Sequence, residues 1–132
     1  MIDGTTIVHE ARYRHSVERV WRAITDQAEL AEWLMPNNFE PVEGRAFWLD
    51  ASPDYGTMDC EVLTVEPPHR LRCRWTIQGD PTTVTFSLAA DGEETVLRVE
   101  HEAIPADKRP SFEGGWPDKF DDLRRVLEQE DP

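Results

Sequence analysis

Apolar and polar positions alternate or recur along the chain in patterns that divide it into elements. From Trp116 to Glu130 the apolar residues Trp116, Phe120, Leu123 and Leu127 fall at helical spacings, with Val126 on the edge of the same stripe and charged residues elsewhere. This predicts a long amphipathic C-terminal helix. The middle of the chain, Phe39 to Ile104, reads almost wholly as strands, so the helix's natural partner is a sheet that wraps one face around it. Thr5 to Arg14 alternates, with Ile7, His9, Ala11 and Tyr13 on one face, and reads as a strand. Ser16 then offers a helix cap, and Val17, Val20, Trp21 and Ile24 follow at helical spacing. Asp26 can cap a second short helix carrying Leu30, Trp33 and Leu34 before Pro36 ends it.

Turn residues in the middle segment predict which strand residues face each other. A turn at Glu66-Pro67 sets Val62 against Leu71, Cys60 against Cys73 and Met58 against Trp75. A turn at Gly79-Asp80 sets Trp75 against Val84, Cys73 against Phe86 and Leu71 against Leu88. A third at Asp91-Gly92 sets Leu88 against Thr95, Phe86 against Leu97, Val84 against Val99 and Thr82 against His101. All three registers put the apolar residues on one face, which predicts a four-stranded antiparallel meander. The other face is polar, with Asp59 meeting Arg74, Glu61 meeting Arg72 and Arg98 across from Thr85. The one basic cluster, Arg70, Arg72 and Arg74, is thereby read as a solvated sheet face rather than a nucleic-acid stripe. Arg45 to Asp50 is a further strand with Phe47 and Leu49 inward. Pro105 to Gly115 is expected to be a loop, with the last helix starting within a few residues of Trp116 and Pro117 in its first turn. The fold class is therefore α+β: a curved antiparallel sheet wrapped around a long C-terminal helix, with two short helices after the first strand.

The 132 residues are expected to form a single domain, 1–132, with a core large enough to need neither disulfides nor metals. No apolar leader or membrane-length run is present, so the expected location is the cytoplasm. Acidic residues outnumber basic ones 27 to 14, giving a formal charge of -13, which repels phosphate backbones and anionic lipid. Neither nucleic acid nor membrane is an expected partner. A monomer or a homodimer fits equally.

The sequence Val17 to Pro36, the Phe39-Glu40-Pro41 start, the Glu66-Pro67-Pro68-His69-Arg70-Leu71 turn with Trp75 after it, Thr83-Val84-Thr85-Phe86, and Gly115-Trp116 together resemble the Hsp90 ATPase activator homologue-like family (C-terminal domain type) of the START/Bet v 1-like (SRPBCC) superfamily. The resemblance covers nearly the whole chain. It departs at Glu43-Gly44, where the family has paired glycines, and at Pro117, where many members continue with helix formers. It implies a helix-grip fold with a cavity between sheet and C-terminal helix, which in the superfamily often holds an apolar or aromatic small molecule. Some members are cyclases or dehydratases. The eukaryotic co-chaperone stimulates the chaperone ATPase but also uses a separate N-terminal domain absent from this sequence, so full co-chaperone action is not expected.

Candidate cavity residues are His9, Met58, Cys73, Trp75, Phe86, His101, Trp116 and Phe120. The aromatic rings and Met58 supply the surface a planar apolar ligand needs, and equally the material of a filled core. His9 and His101 are expected inward on the first and last strands, which are neighbours in this type of fold. They suit acid–base chemistry or ligand contact, and equally well the role of hydrogen-bonded core histidines. Cys60 and Cys73 read as small buried thiols, since directly opposed strand positions fit relaxed disulfide geometry poorly. The Cys and His residues lack the close spacing of a zinc site, and no phosphate loop or nucleophile elbow occurs, so no metal or cofactor is expected. The leading expectation is a cytoplasmic protein that binds an apolar small molecule without catalysis. A cyclase- or hydrolase-type enzyme using the histidines and a chaperone-interacting protein are the rivals.

Overall fold

The computed structural model describes residues 5–129. Six antiparallel strands, β1 (Thr5–Tyr13), β2 (Ala46–Ala51), β3 (Gly56–Glu66), β4 (Arg70–Ile77), β5 (Asp80–Asp91) and β6 (Glu94–Ile104), form one sheet in the order β1-β6-β5-β4-β3-β2. Two short helices, α1 (Val17–Thr25) and α2 (Gln27–Trp33), follow β1, and α3 (Arg109–Gln129) ends the chain after a 3-10 turn at Ala106–Lys108. The α+β helix-grip arrangement is thus the observed one. Glu130, expected to close the last helix, lies outside the described residues.

Local chemistry accounts for the short helices. The Ser16 hydroxyl accepts from the Arg19 amide at 3.1 Å, and the Asp26 carboxylate accepts from the Glu29 amide at 3.0 Å, so each helix has the expected cap. Glu29, buried, takes one hydrogen bond from Arg19 and one from Arg22, both at 2.8 Å, tying α1 to α2. The Trp33 indole donates to the Ala23 carbonyl at 2.8 Å across the same joint.

The sheet keeps the expected inward face but not the expected pairing. Cys60 faces Trp75 and Val62 faces Cys73, while Trp75 faces Thr82, Cys73 faces Val84 and Leu71 faces Phe86. Leu88 faces Leu97, Phe86 faces Val99 and Val84 faces His101. Each register differs from expectation by two residues because the turns sit elsewhere. Gln78 and Gly79, with φ of 49° and 89°, are the central pair of a two-residue turn between Ile77 and Asp80. The next turn has Gly92 (φ 63°) and Glu93 between Asp91 and Glu94. Pro67 to His69 separate the pair Glu66 and Arg70. On β3 a bulge between Val62 and Thr64 adds a further residue, so Val65, not Val62, lies opposite Leu71. The polar partners move in step: Arg74 meets Glu61 in a 3.0 Å ion pair, Arg72 faces Thr64, Asp59 faces Thr76 and Arg98 faces Ser87.

The last helix begins earlier than the pattern suggested. Residues 109–115, expected as loop, form its first two turns, and Pro117 lies inside it. Phe112, four residues before Trp116, extends the apolar stripe toward the sheet and meets His101 edge-on at 5.1 Å. That packing outweighs the poor helix propensity of Gly114, Gly115 and Pro117. Trp116, Phe120, Leu123, Val126 and Leu127 are buried on the concave face of the sheet, and the Tyr13 hydroxyl donates to the Phe120 carbonyl at 2.9 Å. At the free edge of β2, the Trp48 amide donates to the Asn38 side chain at 2.7 Å and the Asp50 amide to the Pro36 carbonyl at 2.9 Å. These bonds occupy edge groups that could otherwise pair with another strand.

Candidate functional site

Where α3 crosses the β2–β3 side of the sheet, the layers do not close completely. A cleft of about 300 Å³ lies between the segment that follows α2 (Leu34 to Pro36), the loop joining β2 to β3, and the first half of α3. Met58 on β3, Trp75 on β4 and Trp116 on α3 line its apolar side. Trp75 and Trp116 stack at 5.7 Å with planes 26° apart. Tyr55, from the loop, and Phe112, from the helix, also line it and stack on each other at 5.2 Å and 15°. Polar groups gather on the rest of the lining: Asp50 from β2, Ser52 and Asp54 from the loop, Ser111 and Lys119 from the helix. Gly115 leaves room there, since nothing lies within 4 Å of where its Cβ would be.

The cleft takes in Met58, Trp75 and Trp116 from the expected residues and leaves His9, Cys73, Phe86, His101 and Phe120 outside its lining. Phe86 and Phe120 stand behind it, each 6.0 Å from the Trp116 ring. His101 is fully buried. The Trp116 indole N–H donates to its Nδ1 at 3.3 Å, while its Nε2 lies 2.9 Å from the Thr82 hydroxyl, which donates to the Trp75 carbonyl at 2.8 Å. An indole can only donate, and the Thr82 proton is already committed, so Nδ1 is bare and Nε2 carries the proton. Burial lowers the imidazole pKa to about 3, so His101 is neutral at physiological pH. It links the two tryptophans of the cleft wall: the Trp116 ring directly, and the Trp75 backbone through Thr82.

His9 faces Val99 on β6, and His101 faces Ile7, so the two histidines are not directly opposed. The His9 ring meets Phe120 edge-on at 6.4 Å, and its Nε2 lies 3.9 Å from a Glu113 carboxylate oxygen. Cys60 and Cys73 are buried free thiols on adjacent strands, paired with Trp75 and Val62 rather than with each other. Burial pushes the Cys73 thiol up to about 12 and, with smaller contributions from Cys73 and Asp59, raises that of Cys60, so neither is an activated nucleophile. Among the described residues, no three His, Cys, Asp or Glu side chains are grouped to hold a metal ion. No described helix is long and apolar enough to cross a membrane.

The pattern of the sequence did not point to Tyr55, Phe112, Gly115 or Lys119. Phe112 had a signal, its i, i+4 relation to Trp116, hidden by the Pro and Gly residues around it. Tyr55 sits in a loop without periodicity. A second recess of about 520 Å³ lies between the start of α1 and the tips of two hairpins. Its lining offers His15, His69 and several glutamates but no large apolar side chain.

Residues 14–128 match the family model described as activator of Hsp90 ATPase homolog 1-like protein. The solved structure of MLL2253 from Mesorhizobium loti is 34% identical, superimposes with a TM-score of 0.89, and aligns over 97% of this chain and 100% of its own. BH1534 from Bacillus halodurans is 26% identical, with a TM-score of 0.83 over 96% of this chain and 99% of its own. DynU16, a protein in the dynemicin biosynthetic locus, is 27% identical, with a TM-score of 0.85 over 96% of this chain and 48% of its own. No match was found among curated proteins.

Proposed function

The chain belongs to the activator of Hsp90 ATPase homolog 1-like family, and from that premise we propose that it is a cytoplasmic binding protein that holds an apolar or aromatic small molecule in the cleft between sheet and α3 without covalent chemistry on it. The observation that carries this reading is the cleft of about 300 Å³ with Met58, Trp75 and Trp116 on its apolar side. That volume lies at the lower end of small-molecule sites, and an apolar lining with a few polar groups at one side is their usual composition. Binding without catalysis is supported by His101, whose nitrogens are both engaged in the protein, and by the raised thiols of Cys60 and Cys73. That DynU16, similar to this chain over 48% of its own length, lies in a biosynthetic locus is in keeping with this reading.

Because Trp75 and Trp116 line the cleft, a ligand entering it should alter tryptophan emission. Titration with a panel of flavonoid-like, polyketide-like, fatty-acid and aromatic amine compounds is expected to give saturable quenching with at least one of them. Gly115→Phe, which places a ring in the open space beside the cleft, is expected to abolish that signal while far-ultraviolet circular dichroism stays unchanged. A panel without saturable binding, or binding indifferent to Gly115→Phe, would overturn the proposal.

A further inference from the structure

We propose that the occupant of the cleft is an organic cation, a planar apolar body carrying an ammonium or comparable positive charge. This rests on the cleft being a binding site and narrows the class of molecule it takes. The argument starts from the lining as a whole. Four aromatic rings, Tyr55, Trp75, Phe112 and Trp116, border a space of about 300 Å³, stacked in two pairs so that one face of each is covered by its partner. Aromatic faces attract cations through their quadrupole, and the attraction grows as the cation leaves water.

The charged groups on the same lining are unequal. Asp50, near the end of β2, and Asp54, on the β2–β3 loop, both lie on it, and neither has an ion pair among the described residues. Many of the other carboxylates do have a cationic partner, as Glu29, Glu61, Glu94 and Glu113 show. Asp50 is held in place by the Ser52 amide, which donates to it at 3.0 Å, and hydrogen bonds from Ser52 keep its carboxyl below the usual carboxylate range. Lys119 is the one cation on the lining, and its ammonium already donates to the Leu34 carbonyl at 2.8 Å. Two carboxylates and one ammonium therefore share the lining of an aromatic space. The formal charge of -13 acts in the same direction at longer range, drawing cations toward the molecule and repelling anions such as fatty acids.

Three fluorescent probes sharing one ring system test the class: neutral N-phenyl-1-naphthylamine, its 8-sulfonate, and a trimethylammonium analogue. The cation is expected to bind roughly tenfold tighter than the neutral probe, as two partly exposed charge pairs allow, and the sulfonate more weakly than either. Asp50→Asn combined with Asp54→Asn should bring the cation and the neutral probe within about twofold of each other. Gly115→Phe should remove binding of the cation although both carboxylates and the net charge remain. A sulfonate bound as tightly as the cation, or a cation preference that survives the double variant, would overturn the proposal. Cation binding that survives Gly115→Phe would overturn it too, since it marks adsorption to the acidic surface. If the neutral probe binds, is lost in Gly115→Phe, and shows no disadvantage to the cation, the cleft reading stands and this one falls. If Gly115→Phe weakens no probe, both fall.

Discussion

His101 is fully buried, with Nδ1 accepting from Trp116 and Nε2 donating to Thr82, and an added proton would have no acceptor to meet. Its folded pKa of about 3 lies below the ordinary histidine value near 6.5. Between those values the unfolded chain binds the proton and the folded chain does not. Stability from this residue is therefore complete above about pH 6.5 and is lost as pH falls toward 3, with a slope approaching 1.4 kcal/mol per unit, roughly, in the middle of that window. Thermal melts of the wild type and His101→Gln across pH 7.5 to 4 check this: the wild type should lose stability more steeply on acidification. Parallel curves would mean that the imidazole titrates normally in the fold. At this scale the sequence was legible in part. Alternation placed His101, Met58 and Trp75 on inward faces and helical spacing placed Trp116 there, and Met58 and the two tryptophans meet at the cleft. Of the partners of His101, the expected register named Thr82 as directly opposite; Val84 holds that place, and Thr82 still reaches Nε2 diagonally, whereas Trp116 was not legible because it lies on α3, far along the chain.

Helix α3 and the hairpins show why elements are harder to bound than to detect. The inward face of every meander strand was legible, because apolar residues recur with period two over long strands. The pairing was displaced by two residues, a shift that leaves every side chain on its own face and so leaves no trace in the hydrophobic pattern. Turn backbone decided it: Gln78 takes a positive φ that its side chain does not advertise, which moves the turn to Gln78-Gly79. The start of α3 was misread for the opposite reason, since Pro105, Pro110, Gly114, Gly115 and Pro117 argue locally against a helix while Phe112 packs it onto the sheet. That conflict yields a prediction. Gly114 is exposed inside the helix with nothing within 4 Å of an added Cβ, so Gly114→Ala should stabilise the protein by about 0.5–1 kcal/mol. Differential scanning calorimetry should then show a Tm higher by roughly 2–4 °C. An unchanged or lowered Tm would mean that residues 109–115 are not helical in solution.

At the scale of the whole molecule, two electrostatic effects oppose each other, and their balance can be measured. Ion pairs such as Arg12 with Glu94, Arg98 with Glu10, and Arg74 with Glu61 join neighbouring strands on the outer face. Each is half-exposed, so each contributes little, and salt weakens it. Against them stands a formal charge of -13 on 132 residues, whose mutual repulsion is present in the compact state and relaxed in the expanded one. Added salt weakens both terms, because the screening length falls from about 30 Å near 10 mM to about 8 Å near 150 mM. The ion pairs act over a few ångströms and keep much of their attraction at that length. Repulsion between unpaired carboxylates spread over the surface acts over longer distances and is largely removed. Salt should therefore stabilise this fold despite its ion pairs. Melts in sodium chloride rising from about 10 to about 150 mM should show a Tm higher by roughly 3 °C, equivalent to about 1 kcal/mol. Potassium chloride should act alike, since screening depends on ionic strength and not on the cation. A flat or falling Tm would show that the strand-joining pairs outweigh the repulsion. The outer face of the sheet would then be a larger source of stability than exposed pairs ordinarily are.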